Sequence, residues 1–279
     1  MLAALAGCGG IGMRLGMRRD LPTPEQATQA QQYSERAQAA LDRGDLESAR
    51  NEMLQLVAHS PASAEAHHRL GKILQLQGRL NEAEACFRRA LELDHDYVGA
   101  LIGLGTIEAA KGDPQSALKR FETAIEIEPP DAEAHFARAQ VLEVLGRTDE
   151  ALAAYFRTLE FNPLHPEVSR RIGAIQLARN QPDQALVRLD QAVDLTPDDG
   201  EVHLLRGRAH LMLHHAPQAI VDCRIAARQL PGRADVHYQL ALALDAAHLQ
   251  AEALKAAETA LRLSPNYTEA RNLSERLRR

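Results

Sequence analysis

His210 and His214 stand four residues apart, with His215 adjacent, and on a helix that spacing would offer two imidazoles to one metal ion. A zinc site wants three or four ligands, and no carboxylate or Cys joins the set at ligand spacing, so these histidines are expected to pack and not to ligate. Cys86 and Cys223 lie too far apart along the chain's repeating pattern for a disulfide, and both read as buried apolar fillers. The phosphate-binding G-x-x-x-x-G-K signature, the G-x-S-x-G elbow, H-E-x-x-H and C-x-x-C are all missing. Gly10-Ile11-Gly12 follows no strand and opens no helix, so it is not a dinucleotide loop. The residues point away from catalysis and call for no cofactor and no metal.

The elements that position these residues announce themselves by period. Pro61, Pro129, Pro163, Pro197, Pro231 and Pro265 fall on one 34-residue grid, with His95 in the remaining slot. Twelve residues before each slot comes Ala49, Ala83, Ala117, Ala151, Ala185, Ala219 or Ala253. Twelve further back stands a small residue: Ala37, Gly71, Gly105, Ala139, Gly173, Gly207 or Ala241. Gly inside a helix costs about 1 kcal/mol relative to Ala, so its recurrence marks a close approach of two antiparallel helices. Between the Ala and Pro landmarks a further position carries Met53, Phe87, Phe121, Tyr155, Leu189, Cys223 and Ala257. Gly44, Gly78, Gly112 and Gly146 mark the turn between the two helices, and Asp45-Leu46, Asp113-Pro114 and Gln181-Pro182 lead into the second one. A fixed period of this kind belongs to stacked units that bury their apolar faces against their neighbours.

Small, small, large and Pro at these offsets resembles the tetratricopeptide repeat family. The resemblance implies an all-α, right-handed superhelix of seven helix-turn-helix repeats: 30–63, 64–97, 98–131, 132–165, 166–199, 200–233 and 234–267. Residues 1–29 precede them, and 268–279 reads as a capping helix with Ala270, Leu273 and Leu277 on one face. The family's Trp early in the first helix is replaced by Tyr33, His67, Leu101, His135, Ser169, His203 and His237. In the family the first helices line a concave groove that holds a partner protein or peptide. Carried over by repeat position, that groove includes Lys72, Gly99, Ile102, Thr106, Phe136, Gln140, Arg170, Leu204, Arg208 and Tyr238, with Arg69 beside it. Chaperone-binding members clamp a C-terminal carboxylate with Lys and Asn, but no Asn occupies these positions here. In the third repeat Gly99 and Gly103 suggest a bare groove floor, rimmed by Arg69 and Lys72 and walled by Phe136.

The net charge of −6 is spread along the repeats, without the basic stripe that nucleic-acid backbones require. Acids near each first-helix start, such as Glu65, Glu133, Glu167, Glu201, Asp235 and Glu269, complement the helix dipole. Thr23-Pro24-Glu25-Gln26 is a helix-start pattern, so the first helix should begin ahead of the formal repeat boundary. Leu5-Ala6-Gly7-Cys8 resembles the lipobox of bacterial lipoproteins, which implies acylation of Cys8 and tethering in the bacterial envelope, facing the periplasm. No Lys or Arg precedes Cys8 and the apolar run is shorter than a signal core, so this reading expects a longer leader upstream. The alternative is a cytoplasmic adaptor for an enzyme or polysaccharide machine, starting at Met13 or Met17. Membrane contact is expected only through Cys8.

Overall fold

The computed structural model describes the backbone of residues 24–279 and the side chains from residue 28 onward, so Cys8 lies outside the described residues. Fifteen helices occupy that span and no strand is found among the described residues. In chain order they are α1 (Pro24–Asp42), α2 (Leu46–His59), α3 (Ala64–Leu76), α4 (Leu80–Leu93) and α5 (Val98–Ala110). Then come α6 (Pro114–Ile127), α7 (Ala132–Val144), α8 (Thr148–Phe161), α9 (Pro166–Ala178) and α10 (Pro182–Leu195). The series ends with α11 (Gly200–Met212), α12 (Ala216–Gln229), α13 (Ala234–Ala246), α14 (Gln250–Leu263) and α15 (Thr268–Leu277). Two compact units share them, divided inside α4: one ends at Cys86 and the other is Phe87–Arg279.

Each pair is closed by a tight turn that the chain chemistry dictates. Gly44, Gly78, Gly112 and Gly146 take φ of +71° to +84°, a left-handed geometry in which a Cβ would be strained. The turn satisfies orphan carbonyls of the helix end: the Asp113 N–H donates to Glu108 O at 2.9 Å and Gly112 N–H to Ala109 O at 3.0 Å. The last three repeats place Asn180, His214 and His248 in the same slot, at φ of 59° to 60°. Caps then restart the chain, as Asp45 accepts from Ser48 N, Asp113 from Ser116 N and Asp131 from Ala134 N. At the far end of each pair the grid proline follows the C-cap, where its ring cannot continue the helix.

The small-and-large landmarks face each other. A Cβ on Gly105 would lie 2.6 Å from the Phe121 ring, one on Gly173 2.7 Å from Leu189, and one on Gly207 2.8 Å from Cys223 Sγ. Where Ala fills the slot, Ala139 and Tyr155 are both fully buried, as are Ala241 and Ala257. In the second unit α5 packs on α6, α7 on α8, α9 on α10, α11 on α12 and α13 on α14, and each second helix also meets the next first helix. The core of the second unit is therefore a row of clusters, such as that joining Phe121, Leu142, Tyr155 and Ile172.

The histidines in the family's Trp slot have a bonding role. The Nε2–H of His67, His135, His203 and His237 donates to the carbonyl of Pro61, Pro129, Pro197 and Pro231 respectively, at 2.8 to 3.1 Å. Arg271 makes the same bond to Pro265 at 2.6 Å. A proline carbonyl six residues upstream is left without a helical partner, and these donors tie each repeat junction to the helix that follows.

Candidate interaction surface

The first helices of the second unit also touch one another, α5 with α7, α9 with α11 and α11 with α13, and Arg171 of α9 reaches Glu143 of α7 at 2.9 Å, so their outward positions form a row. Two aromatic steps stand on it. Phe136, the fifth residue of α7, has its ring 4.6 Å from His165, which caps α9, and 6.1 Å from buried Tyr155. Tyr238, the fifth residue of α13, lies 5.1 Å from Tyr267, which caps α15. All four rings apart from Tyr155 are half-buried. Among the described residues neither the Tyr238 nor the Tyr267 hydroxyl has a hydrogen-bond partner, although burial raises the pKa of both.

The charges between these steps are mostly neutralised internally. Arg171 donates to Glu143 at 2.9 Å and to Glu167 at 3.0 Å, and Arg170 sits 3.8 Å from Glu167. The Tyr155 hydroxyl donates to the same Glu143, and burial, reinforced by that bond, holds its pKa well above the ordinary value. Arg233 bridges Glu201 and Asp235, while Arg276 pairs with Asp245 at 2.7 Å. Arg208 differs. It is exposed, and among the described residues it has no ion pair or hydrogen bond; its charge acts on Tyr267.

Other expected groove residues fall in several environments. Thr106 is exposed, its hydroxyl donating to Ile102 O at 2.9 Å, and Gln140 and Gly99 are half-buried. Ile102 and Leu204 are core residues, only 5% and 3% exposed, so they do not form accessible lining. Gly103 corrects the bare-floor expectation. A Cβ there would lie 2.6 Å from the ring of Phe87, so the missing side chain makes room for a neighbour's ring and leaves no depression. In the first unit Arg69 and Lys72 are exposed on α3; Arg69 pairs with Glu65 and donates to Ser34 Oγ at 2.6 Å. Beside them burial, with help from both cations, lowers the pKa of His68 to about 4.

One cluster escaped sequence reasoning. Asp222 is 2% exposed and accepts from His203 Nδ1 at 2.8 Å and from Arg206 at 2.7 and 3.0 Å; His210 lies 3.8 Å away. Arg206 also reaches Asp190 at 3.0 Å. The spacing search found no carboxylate for these histidines because Asp222 arrives from α12, which the turn folds back onto α11. The repeat offset gave little signal: the other repeats carry Glu52, Cys86, Arg120, Ala154, Arg188 and Ala256 there, so an acid occurs at this position in the first repeat as well. Among the described residues no group of three metal-ligating side chains converges, and no helix is long and apolar enough to cross a membrane.

Comparison with known proteins agrees with this geometry. Two tetratricopeptide repeat models match, one over residues 62–129 and one over 102–166 and 171–234, together more than half of the chain. Among solved structures the chain is similar to YrrB, a TPR protein with an unusual peptide-binding site, at TM-score 0.63 and 21% identity, covering 68% of this chain and 97% of that one. It is also similar to PilF of Pseudomonas aeruginosa, at TM-score 0.68 and 18% identity, covering 76% of this chain and 97% of that one. At such identities the likeness is one of fold. A curated relative, the probable biofilm formation methyltransferase WspC of Pseudomonas putida, is 29% identical over 115 residues, 38% of this chain. The chain spans only 27% of that relative's length, so its activity does not transfer. Repeat-length helix pairs, small residues nested against large ones, and matching family models agree: the chain belongs to the tetratricopeptide repeat family of protein-interaction scaffolds.

Proposed function

We propose that this chain is a non-catalytic scaffold that holds a partner protein or peptide along its first-helix face, in the assembly of a bacterial envelope complex to which Cys8 tethers it. One observation carries the binding part. The first-helix row of the second unit displays two half-exposed aromatic steps, Phe136 with His165 and Tyr238 with Tyr267, with Arg170 and Arg208 between them. Interface centres are enriched in aromatics and Arg, and rings of this kind give contact area at little entropic cost. The envelope part is supported by the Leu5-Ala6-Gly7-Cys8 sequence alone.

A photo-crosslinking residue placed singly at Thr106, Gln140, Ala174 or Arg208 should capture one discrete partner in cells, and the same residue at Val187 or Val221, exposed on second helices α10 and α12, should not. Capture only from the second helices would refute the assignment of the face. Mass spectrometry of the native N-terminus tests the tether: an unmodified peptide spanning Cys8 would sink it and favour the cytoplasmic adaptor.

A further inference from the structure

The last aromatic step has a chemistry that the proposed binding face does not by itself specify. Tyr238 and Tyr267 lie with ring centres 5.1 Å apart, tilted by 53°, and present two phenol hydroxyls that no described residue engages. On the α11 side stands exposed Arg208, unpaired among the described residues. On the α15 side stands exposed Glu269, likewise without an ion pair among the described residues, close enough to act electrostatically on both tyrosines. Two neighbouring arginines are already matched, Arg233 by Glu201 and Asp235 and Arg276 by Asp245, and Arg271 is turned to the Pro265 carbonyl. The step is thus an apolar ring surface with two free O–H donors and a charge gradient across it.

We infer that this step binds an extended, acidic, proline-containing segment of the partner, its acidic residue on Arg208 and its proline on the tyrosine rings. Three features select that occupant. Arg208 offers an unshared guanidinium, which favours a carboxylate by charge-assisted hydrogen bonding. Glu269 repels the same carboxylate at the other end and so fixes the direction of the segment. The tyrosine hydroxyls can donate to backbone carbonyls. A proline ring packs on aromatic faces in a pre-extended backbone and leaves no N–H unpaired over the ring faces themselves. The inference rests on the first-helix face being the binding face, and it assigns one step of that face its ligand class.

The test uses the full chain and short fluorescent peptides with amidated ends, so that no terminal carboxylate competes. Three sets are identical except for a central Asp-Pro-Asp-Pro, Lys-Pro-Lys-Pro or Asp-Ala-Asp-Ala, and binding is read by fluorescence anisotropy. Wild type should prefer the first set to each of the others by roughly tenfold in Kd. Arg208→Glu should reverse the charge preference and leave the proline preference in place. Tyr238→Ala should remove the proline preference, and Tyr238→Phe, which keeps the packing, should weaken binding through loss of one hydroxyl. Lys119→Glu on the second helix α6 serves as the control and should change neither. No preference in wild type, or a charge preference that survives Arg208→Glu, overturns the inference. If that happens while first-helix crosslinks persist, only this ligand class falls; if the crosslinks also vanish, the binding-face reading falls with it.

Discussion

Replacing Gly103 by Ala should destabilise the protein, and replacing Phe87 by Leu should reverse the sign of that effect. The added Cβ would lie 2.6 Å from Phe87 Cε2 and Cζ and 2.7 Å from Cε1. Carbon atoms in good contact stand about 3.5–4.0 Å apart, so the ring must retreat by roughly 1 Å. Phe87 is fully buried and has nowhere to go without displacing its own neighbours. Overpacking of this kind costs about 1–3 kcal/mol. Against it stands a helix-propensity gain of about 1 kcal/mol for Gly→Ala, giving a net loss of roughly 1 kcal/mol. Leu ends at its δ carbons and lacks the three ring atoms that clash. In the Phe87→Leu background Gly103→Ala should therefore stabilise by about 1 kcal/mol, a coupling of roughly 1–3 kcal/mol between the two sites. The assay is a double-mutant cycle by urea unfolding followed by circular dichroism, checking that the m-values agree across the four proteins. Hydrogen exchange of the α5 amides gives a local readout, since repeat arrays can lose two-state behaviour. Effects that add within about 0.5 kcal/mol would show that Phe87 does not occupy the space above Gly103. Stabilisation by Ala in both backgrounds would return Gly103 to an open helix surface.

Asp222→Ala should destabilise by about 3–5 kcal/mol, because it leaves the buried Nδ1 of His203 without an acceptor and strips half-buried Arg206 of its buried carboxylate, while Asp190→Ala, at an exposed partner of the same Arg206, should cost under about 1 kcal/mol. Comparable losses on urea unfolding would contradict the burial-based account. His214→Gly and His248→Gly should each raise stability by about 1 kcal/mol, since both residues hold a left-handed φ near 60° that a side chain disfavours; a fall in Tm in either variant argues against strain there. His68 has a folded pKa lowered to about 4 against an ordinary 6.5, so as pH falls the unfolded state takes up the proton first. Stability should be intact above pH 6.5 and decline from there towards pH 4, and His68→Gln should flatten the slope in that window; an unchanged slope excludes His68 as its source.

Much of the fold is legible in the sequence because the contacts that make one helix pair are local and recur. A 34-residue period, a left-handed Gly at the turns of the first four repeats, an Asp or Pro at several second-helix starts and a small residue two dozen before each proline state where helices begin, end and touch. The small slot at Gly105 and the large one at Phe121 lie sixteen residues apart in one pair, and one pair's geometry brings them together. Contacts between repeats are different. They depend on how one pair is rotated against the next, and no single repeat encodes that rotation. Gly103 carried the same signature as a bare groove floor until Phe87, from the preceding repeat, proved to fill it. Ile102 and Leu204 sit at groove offsets yet are buried by their neighbours. The arginines show the same division: residue type alone does not distinguish Arg170, Arg171 and Arg208. Only the folded arrangement gives Glu143 and Glu167 to the first two and leaves Arg208 exposed beside two tyrosines. Asp222 joins His203 for the same reason, since a turn must close before α12 can bring its carboxylate to α11. Period and turn chemistry fix what is repeated; the neighbours, placed by side-chain packing across the stack, decide which side chains remain free to meet a partner.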